Sequence, residues 1–183
     1  GVPTEVDPEP LAEGTTIYSL LHPSRMRMTM QASTREEAIG ELVGLLETSA
    51  LCADTGILAR KVIERENLCS TGLQHGVAIP HPGQVATGLI RRTAIAFGRS
   101  LHGVDFGAID GRPSHLFFLV CAAHNGDHLK ILSRLAHLCR DPGFCGEMLA
   151  LDDAGEVIRV LREYAEREGQ HVNAPFGPAV RLP

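Results

Sequence analysis

Residues 116–121 read Leu-Phe-Phe-Leu-Val-Cys, an apolar run with no polar interruption. Successive side chains of a strand point to opposite faces of its sheet, so a strand of this kind has no face to show to water. The chain must therefore cover a sheet on both sides. No apolar run approaches the roughly 20 residues that span a bilayer, so the cover must come from the chain's own amphipathic segments.

Those segments read as helices. Thr34 and Glu37 form a capping-box pattern ahead of Ala38, Leu42, Leu45 and Leu46, which predicts a helix over 35–49. A second is expected from Asp54 to Glu66 with Leu58, Val62 and Ile63 inward, and a third over 127–140 with Asp127 near its start and Leu129, Leu132, Leu135 and Ala136 on one face. Asp141-Pro142 is a restart signal, Asp as N-cap and Pro in the first turn, for a helix over 143–150. Asp152 and Asp153 cap a last one over 154–168, with Val157, Val160, Leu161 and Tyr164 inward. Strands are expected at 77–79 and 93–97, and Asp110-Gly111 is a hairpin turn signal. Helices around a small buried sheet make a layered α/β class; periodicity leaves the strand order open.

At 183 residues, one domain is expected, at 15–168, between an acidic, proline-rich linker at 1–14 and a tail at 169–183. With 44% hydrophobic and 21% charged residues, the chain is neither disordered, collagen-like nor a coiled coil. A net charge of −5 speaks against nucleic acid as a partner. The five cysteines are odd in number and lack a C-x-x-C, so they read as buried free thiols in a reducing cytoplasm. No signal peptide is visible, and the opening Gly1-Val2-Pro3 without Met leaves room for upstream sequence.

Chemistry concentrates in the histidines, nine in all, four of them in two close pairs: His75 with His81, and His124 with His128. His81 ends a short apolar strand and lies between Pro80 and Pro82, whose rings restrict the backbone. An imidazole held at a strand end suits a nucleophile. Ser70-Thr71-Gly72 offers hydroxyls and N–H groups that can cradle a phosphate, and Arg65 is the nearest upstream guanidinium. His75 reads as a solvated loop residue, His137 as a packing or surface residue, and Arg91-Arg92 as a solvated strand edge.

Glu64-Arg65-Glu66, Ser70-Thr71-Gly72 and Gly76-Val77-Ala78-Ile79-Pro80-His81 together resemble the signature of enzyme IIA domains of the mannitol/fructose and nitrogen-regulatory type, from the phosphoenolpyruvate-dependent phosphotransferase system. Val104–Pro113, the apolar strand and His128-Leu129 resemble that family's downstream half, and Glu36–Glu47 its opening helix. The resemblance covers about residues 15–165. It implies a three-layer α/β/α sandwich with a small mixed sheet. His81 would be the phosphorylated residue and His128 its neighbour, with Arg65, Ser70 and Thr71 around the phosphate and no cofactor. The implied donor is a small histidine phosphocarrier (HPr-like), and the implied acceptor is a IIB cysteine or a regulatory reader. No IIB or IIC segment and no transmembrane span is seen, which leans toward a stand-alone or regulatory IIA.

The chain departs from the family pattern at Cys69, Gln74 and Pro82. An alternative reading is accordingly a non-catalytic IIA-like module that binds an anion or a partner. A third is a metal-dependent hydrolase using the H-x-x-x-H pair His124 and His128; Asn125-Gly126 speaks against one continuous helix through both, and no metal is expected.

Overall fold

Four strands, β1 (Met26–Arg27), β2 (Val77–Ala78), β3 (Ala94–Val104) and β4 (Ser114–Cys121), form one mixed sheet in the order β1-β3-β4-β2. The structure, a computed structural model, describes residues 9–47, 50–83 and 88–168. β3 and β4 are an antiparallel hairpin pairing Ala94 with Cys121 and Phe97 with Phe118. Its turn carries the Asp110-Gly111 signal, with the Gly111 N–H donating to the Ala108 carbonyl at 2.9 Å. β1 lies parallel to β3, and β2 parallel to β4 with Val77 opposite Leu116.

The apolar run does what its composition demands. Leu116, Phe118 and Val120 enter one core with Ile95 and Phe97; Phe117, Leu119 and Cys121 enter the other with Ala94 and Ala96. Helices α1 (Arg35–Gly44) and α2 (Thr55–Leu68) cover the second face. Helices α3 (Asn125–Leu138), α4 (Pro142–Leu149) and α5 (Ala154–Arg167) cover the first, which completes the α/β/α sandwich. Burying one such side chain contributes about 1.5–3 kcal/mol.

The local signals hold at most helix starts. Thr34 accepts the Glu37 N–H at 3.2 Å and Glu37 reaches back to the Thr34 N–H, a complete capping box. Asp54, Asp141 and Asp153 cap α2, α4 and α5. Several helix boundaries differ from expectation. α1 stops at Gly44, short of 49, and α2 runs on to Leu68. α3 starts at Asn125 and ends at Leu138, two residues ahead of expectation at each end, and the His124 ring caps it by accepting the Gly126 N–H at 3.2 Å. Its inner face is Ile131, Leu135 and Leu138, and Leu129 stands exposed.

β3 is far longer than 93–97. Gly98, Arg99 and Ser100 interrupt its apolar pattern yet lie buried, since the Arg99 guanidinium donates to the Met28 carbonyl at 3.0 Å and to the Leu151 carbonyl. β1 and the short 3-10 turns at Tyr18–Leu20 and Pro23–Arg25 carried no sequence signal. Cys121, Cys139 and Cys145 are buried thiols, but Cys52 is only partly covered and Cys69 is exposed. Residues 1–8 and 169–183 of the two expected tails lie outside the described residues. Within 9–14, the Leu11 N–H donates to Asp127 Oδ2 at 2.8 Å. Among the described residues no helix is long and apolar enough to cross a membrane.

Candidate functional site

Because β2 and β4 run parallel, their carboxyl ends open on the same sheet edge, where ligands of open α/β sheets bind. His81 follows β2 and His128 sits in the first turn of α3, which follows β4. Their imidazoles meet edge to face with centroids 5.0 Å apart. Both line a pocket of about 880 Å³, together with Lys61 and Arg65 of α2 and Leu68, Leu129 and Leu132.

The His81 segment is held along its length. The Ile79 N–H donates to the Thr71 carbonyl at 3.1 Å, and the Val120 N–H of β4 donates to the Pro80 carbonyl at 3.0 Å. His81 Nδ1 lies 2.8 Å from the Ile79 carbonyl oxygen. A carbonyl can only accept, so Nδ1 carries the proton, and the neutral ring keeps its lone pair on Nε2. Burial pushes the His81 pKa below the ordinary histidine value; the bond to Ile79 opposes this, and the Arg65 charge adds to it. His128 is lowered further, to about 4, by burial first and then by His81 and Arg65. At neutral pH the site therefore presents two uncharged imidazoles and fixed cations. His128 Nδ1 is buried without a hydrogen-bond partner.

Arg65 is positioned from two sides. Its Nη1 donates to the Cys69 carbonyl at 2.9 Å, capping the end of α2. Its side chain runs across Gly83, where a Cβ would stand 3.3 Å from Arg65 Cδ. The structure thus brings His81, His128 and Arg65 to one pocket.

Ser70 and Thr71 are not among its lining residues. The Ser70 hydroxyl donates to the Phe106 carbonyl and accepts the Gly72 N–H at 3.0 Å. Thr71 gives its N–H and its hydroxyl to the two oxygens of Glu66, at 2.6 and 2.7 Å. Both residues build the loop and have these donors occupied.

Glu66 is the residue sequence reasoning passed over. It is 1% exposed, and its carboxylate ties α2 to the loop that carries His81. A signal existed: Leu58, Val62 and Glu66 recur at helical spacing, so Glu66 continues the buried stripe of α2. Of the residues set aside earlier, His75 is exposed in a left-handed conformation (φ 64°), His137 pairs with Glu168 at 2.6 Å, and Arg91 and Arg92 are exposed. Among the described residues no three His, Cys, Asp or Glu side chains converge as a metal ion would require.

Comparison with known proteins identifies the family of the chain. Residues 19–164 match the family model described as phosphoenolpyruvate-dependent sugar phosphotransferase system, EIIA 2. The chain is 31% identical over 150 residues to a fructose-specific EIIABC component of Bacillus subtilis, covering 81% of this chain but 23% of that protein. It is 34% identical over 136 residues to a fructose-specific EIIA component of Haloferax volcanii, covering 73% of this chain and 86% of that one. Among solved structures, the nitrogen regulatory protein IIA-Ntr of Neisseria meningitidis superposes with a TM-score of 0.71 at 31% identity, over 79% of this chain and 98% of that one. The chain belongs to the EIIA type 2 family of the phosphoenolpyruvate-dependent phosphotransferase system, a family of phosphoryl carriers.

Proposed function

We propose that this domain carries a phosphoryl group on Nε2 of His81. The observation that carries the reading is the bond from His81 Nδ1–H to the Ile79 carbonyl, which leaves the Nε2 lone pair as the ring's base. Burial keeps that ring neutral at pH 7, as a nucleophile requires.

The donor is a phosphohistidine on a small HPr-like carrier. Nε2 forms a bond to phosphorus while the donor's P–N bond breaks, and the electron pair returns to the donor imidazole. The Nδ1 proton does not move. Exchange between two histidines is nearly isoenergetic, so this chain's contribution is alignment and compensation of the phosphoryl charge. Arg65 and Lys61 supply positive charge, and the first turn of α3 and His128 supply donors. Ser70 and Thr71 support the phosphate site through the shape of their loop.

The phosphoryl group then passes to a IIB cysteine for sugar uptake, or a regulatory protein reads its presence. Relatives of both kinds match the chain. The setting is the cytoplasm, where such carriers meet. No bound cofactor enters the transfer.

The test is intact-mass spectrometry after incubation with phosphoenolpyruvate, enzyme I and the phosphocarrier. One acid-labile phosphoryl group is expected on the wild type and none on His81→Ala. Absence of uptake with several carrier homologues would instead favour the anion- or partner-binding module.

A further inference from the structure

Another cavity, about 320 Å³, shares no lining residue with the histidine pocket and lies between the β3–β4 hairpin and α4. His75, Arg112, His115 and Cys145 line it. Cys145 belongs to α4, and its Sγ–H donates to the carbonyl of Cys139, the residue that ends α3, at 3.3 Å. We propose that Cys139 and Cys145 form a thiol-modification site, in which a hydroperoxide entering this cavity oxidises Cys145 and Cys139 closes the disulfide.

Three observations distinguish this pair from the other cysteines. The Cys145 sulfur lies 3.3 Å from the Cys139 carbonyl oxygen, and both residues sit in the same core, so the partner residue is already alongside. The neighbouring Cys139 lowers the Cys145 pKa, and Cys145 raises that of Cys139, while burial and the Asp141 carboxylate work against the first effect. The thiolate is the reactive form, so Cys145 attacks and Cys139 resolves. Finally, Cys145 lines a cavity, whereas Cys121 is buried in the opposite core with its pKa pushed far up, and Cys69 is exposed on the surface.

The steps balance. The Cys145 thiolate attacks one peroxide oxygen; an S–O bond forms, the O–O bond breaks, and the departing oxygen takes up a proton as water or alcohol. The Cys139 sulfur then attacks the Cys145 sulfur; the S–S bond forms, the S–O bond breaks, and hydroxide leaves with the Cys139 proton as water. Two thiols lose two electrons to the peroxide. The bond would join α3 to α4 at the end of α3 remote from His128.

The experiment uses the full chain, fully reduced, freed of reductant and treated with equimolar hydrogen peroxide. Free thiols are then alkylated in denaturant, and the protein is digested with trypsin, which cuts between the two cysteines after Arg140. The expected product is the peptide Leu135–Arg140 disulfide-linked to Asp141–Arg159, lost on reduction. In Cys139→Ser the sulfenic acid should persist on Cys145 and be captured by dimedone. If that variant does not fold, Cys69→Ala, which removes the exposed competitor, should still yield the linked pair. Oxidation confined to Cys69 or Cys52, with Cys139 and Cys145 both alkylated, would overturn the proposal. So would a linked pair that forms only after the protein is denatured.

Discussion

His128 meets His81 edge to face at 5.0 Å with 63° between the ring planes, and its own Nδ1 has no hydrogen-bond partner. A buried polar atom left in that state costs free energy unless something later bonds to it. A phosphoryl oxygen on His81 would supply such a partner. His128→Ala should therefore slow phosphoryl uptake by roughly 10²–10³-fold, the usual loss for one stabilising donor. His128→Gln, which keeps an N–H donor, should recover part of that rate. Quenched-flow uptake from the phosphorylated carrier measures both; rates equal to wild type would remove His128 from the chemistry.

The same two rings set a pH dependence of stability. Their folded pKa values lie below the unfolded reference of about 6.5, so the unfolded chain binds protons first as pH falls. The sign follows: stability is full above about pH 6.5 and declines as pH drops toward the folded value, about 4 for His128. His128 alone can account for at most about 3 kcal/mol across that window. Urea midpoints at pH 7 and pH 4.5 should differ less in His128→Gln than in the wild type.

Glu66 holds both the N–H and the hydroxyl of Thr71 from a buried position. Glu66→Ala strands two donors and should cost about 2–4 kcal/mol. Because the Thr71 carbonyl holds the Ile79 N–H, the loss should also reach the His81 segment. Hydrogen exchange at Ile79, faster in the variant than global unfolding accounts for, checks the second half. Glu66→Gln retains one acceptor and should be milder on both counts.

Gly72 approaches the loop after β3 so closely that a Cβ would lie 2.8 Å from Ala108 Cα. That neighbour is backbone and cannot swing aside. Gly72→Ala should destabilise by about 1–3 kcal/mol, as overpacking does. A denaturant midpoint unchanged from wild type would show that the 105–111 loop yields more easily than its packing suggests.

Much of the fold was legible in the residues themselves. The uninterrupted Leu116–Cys121 run required cover on two faces, and two cores meet across it. Thr34, Asp54, Asp141 and Asp153 cap their helices because a cap is a bond between residues two or three apart, written where it acts. At β3 a distant contact overrode the local pattern. The strand expected at 93–97 stops short of Arg99, but carbonyls from residues 28, 149 and 151 allow Arg99 to be buried within β3.

The site divides along the same line. His81 between two prolines could be picked from the sequence, since its restraint is local. That His128 faces it depends on β2 pairing parallel with β4, a long-range choice that periodicity does not encode. Which nitrogen of His81 is the base depends on where the Ile79 carbonyl points after the loop has closed. Ser70 and Thr71 show the limit most plainly: their hydroxyls suggest a phosphate cradle, yet folding turns them to Phe106 and Glu66. Residue type states what a side chain can donate, and only the packed chain decides which acceptor receives it.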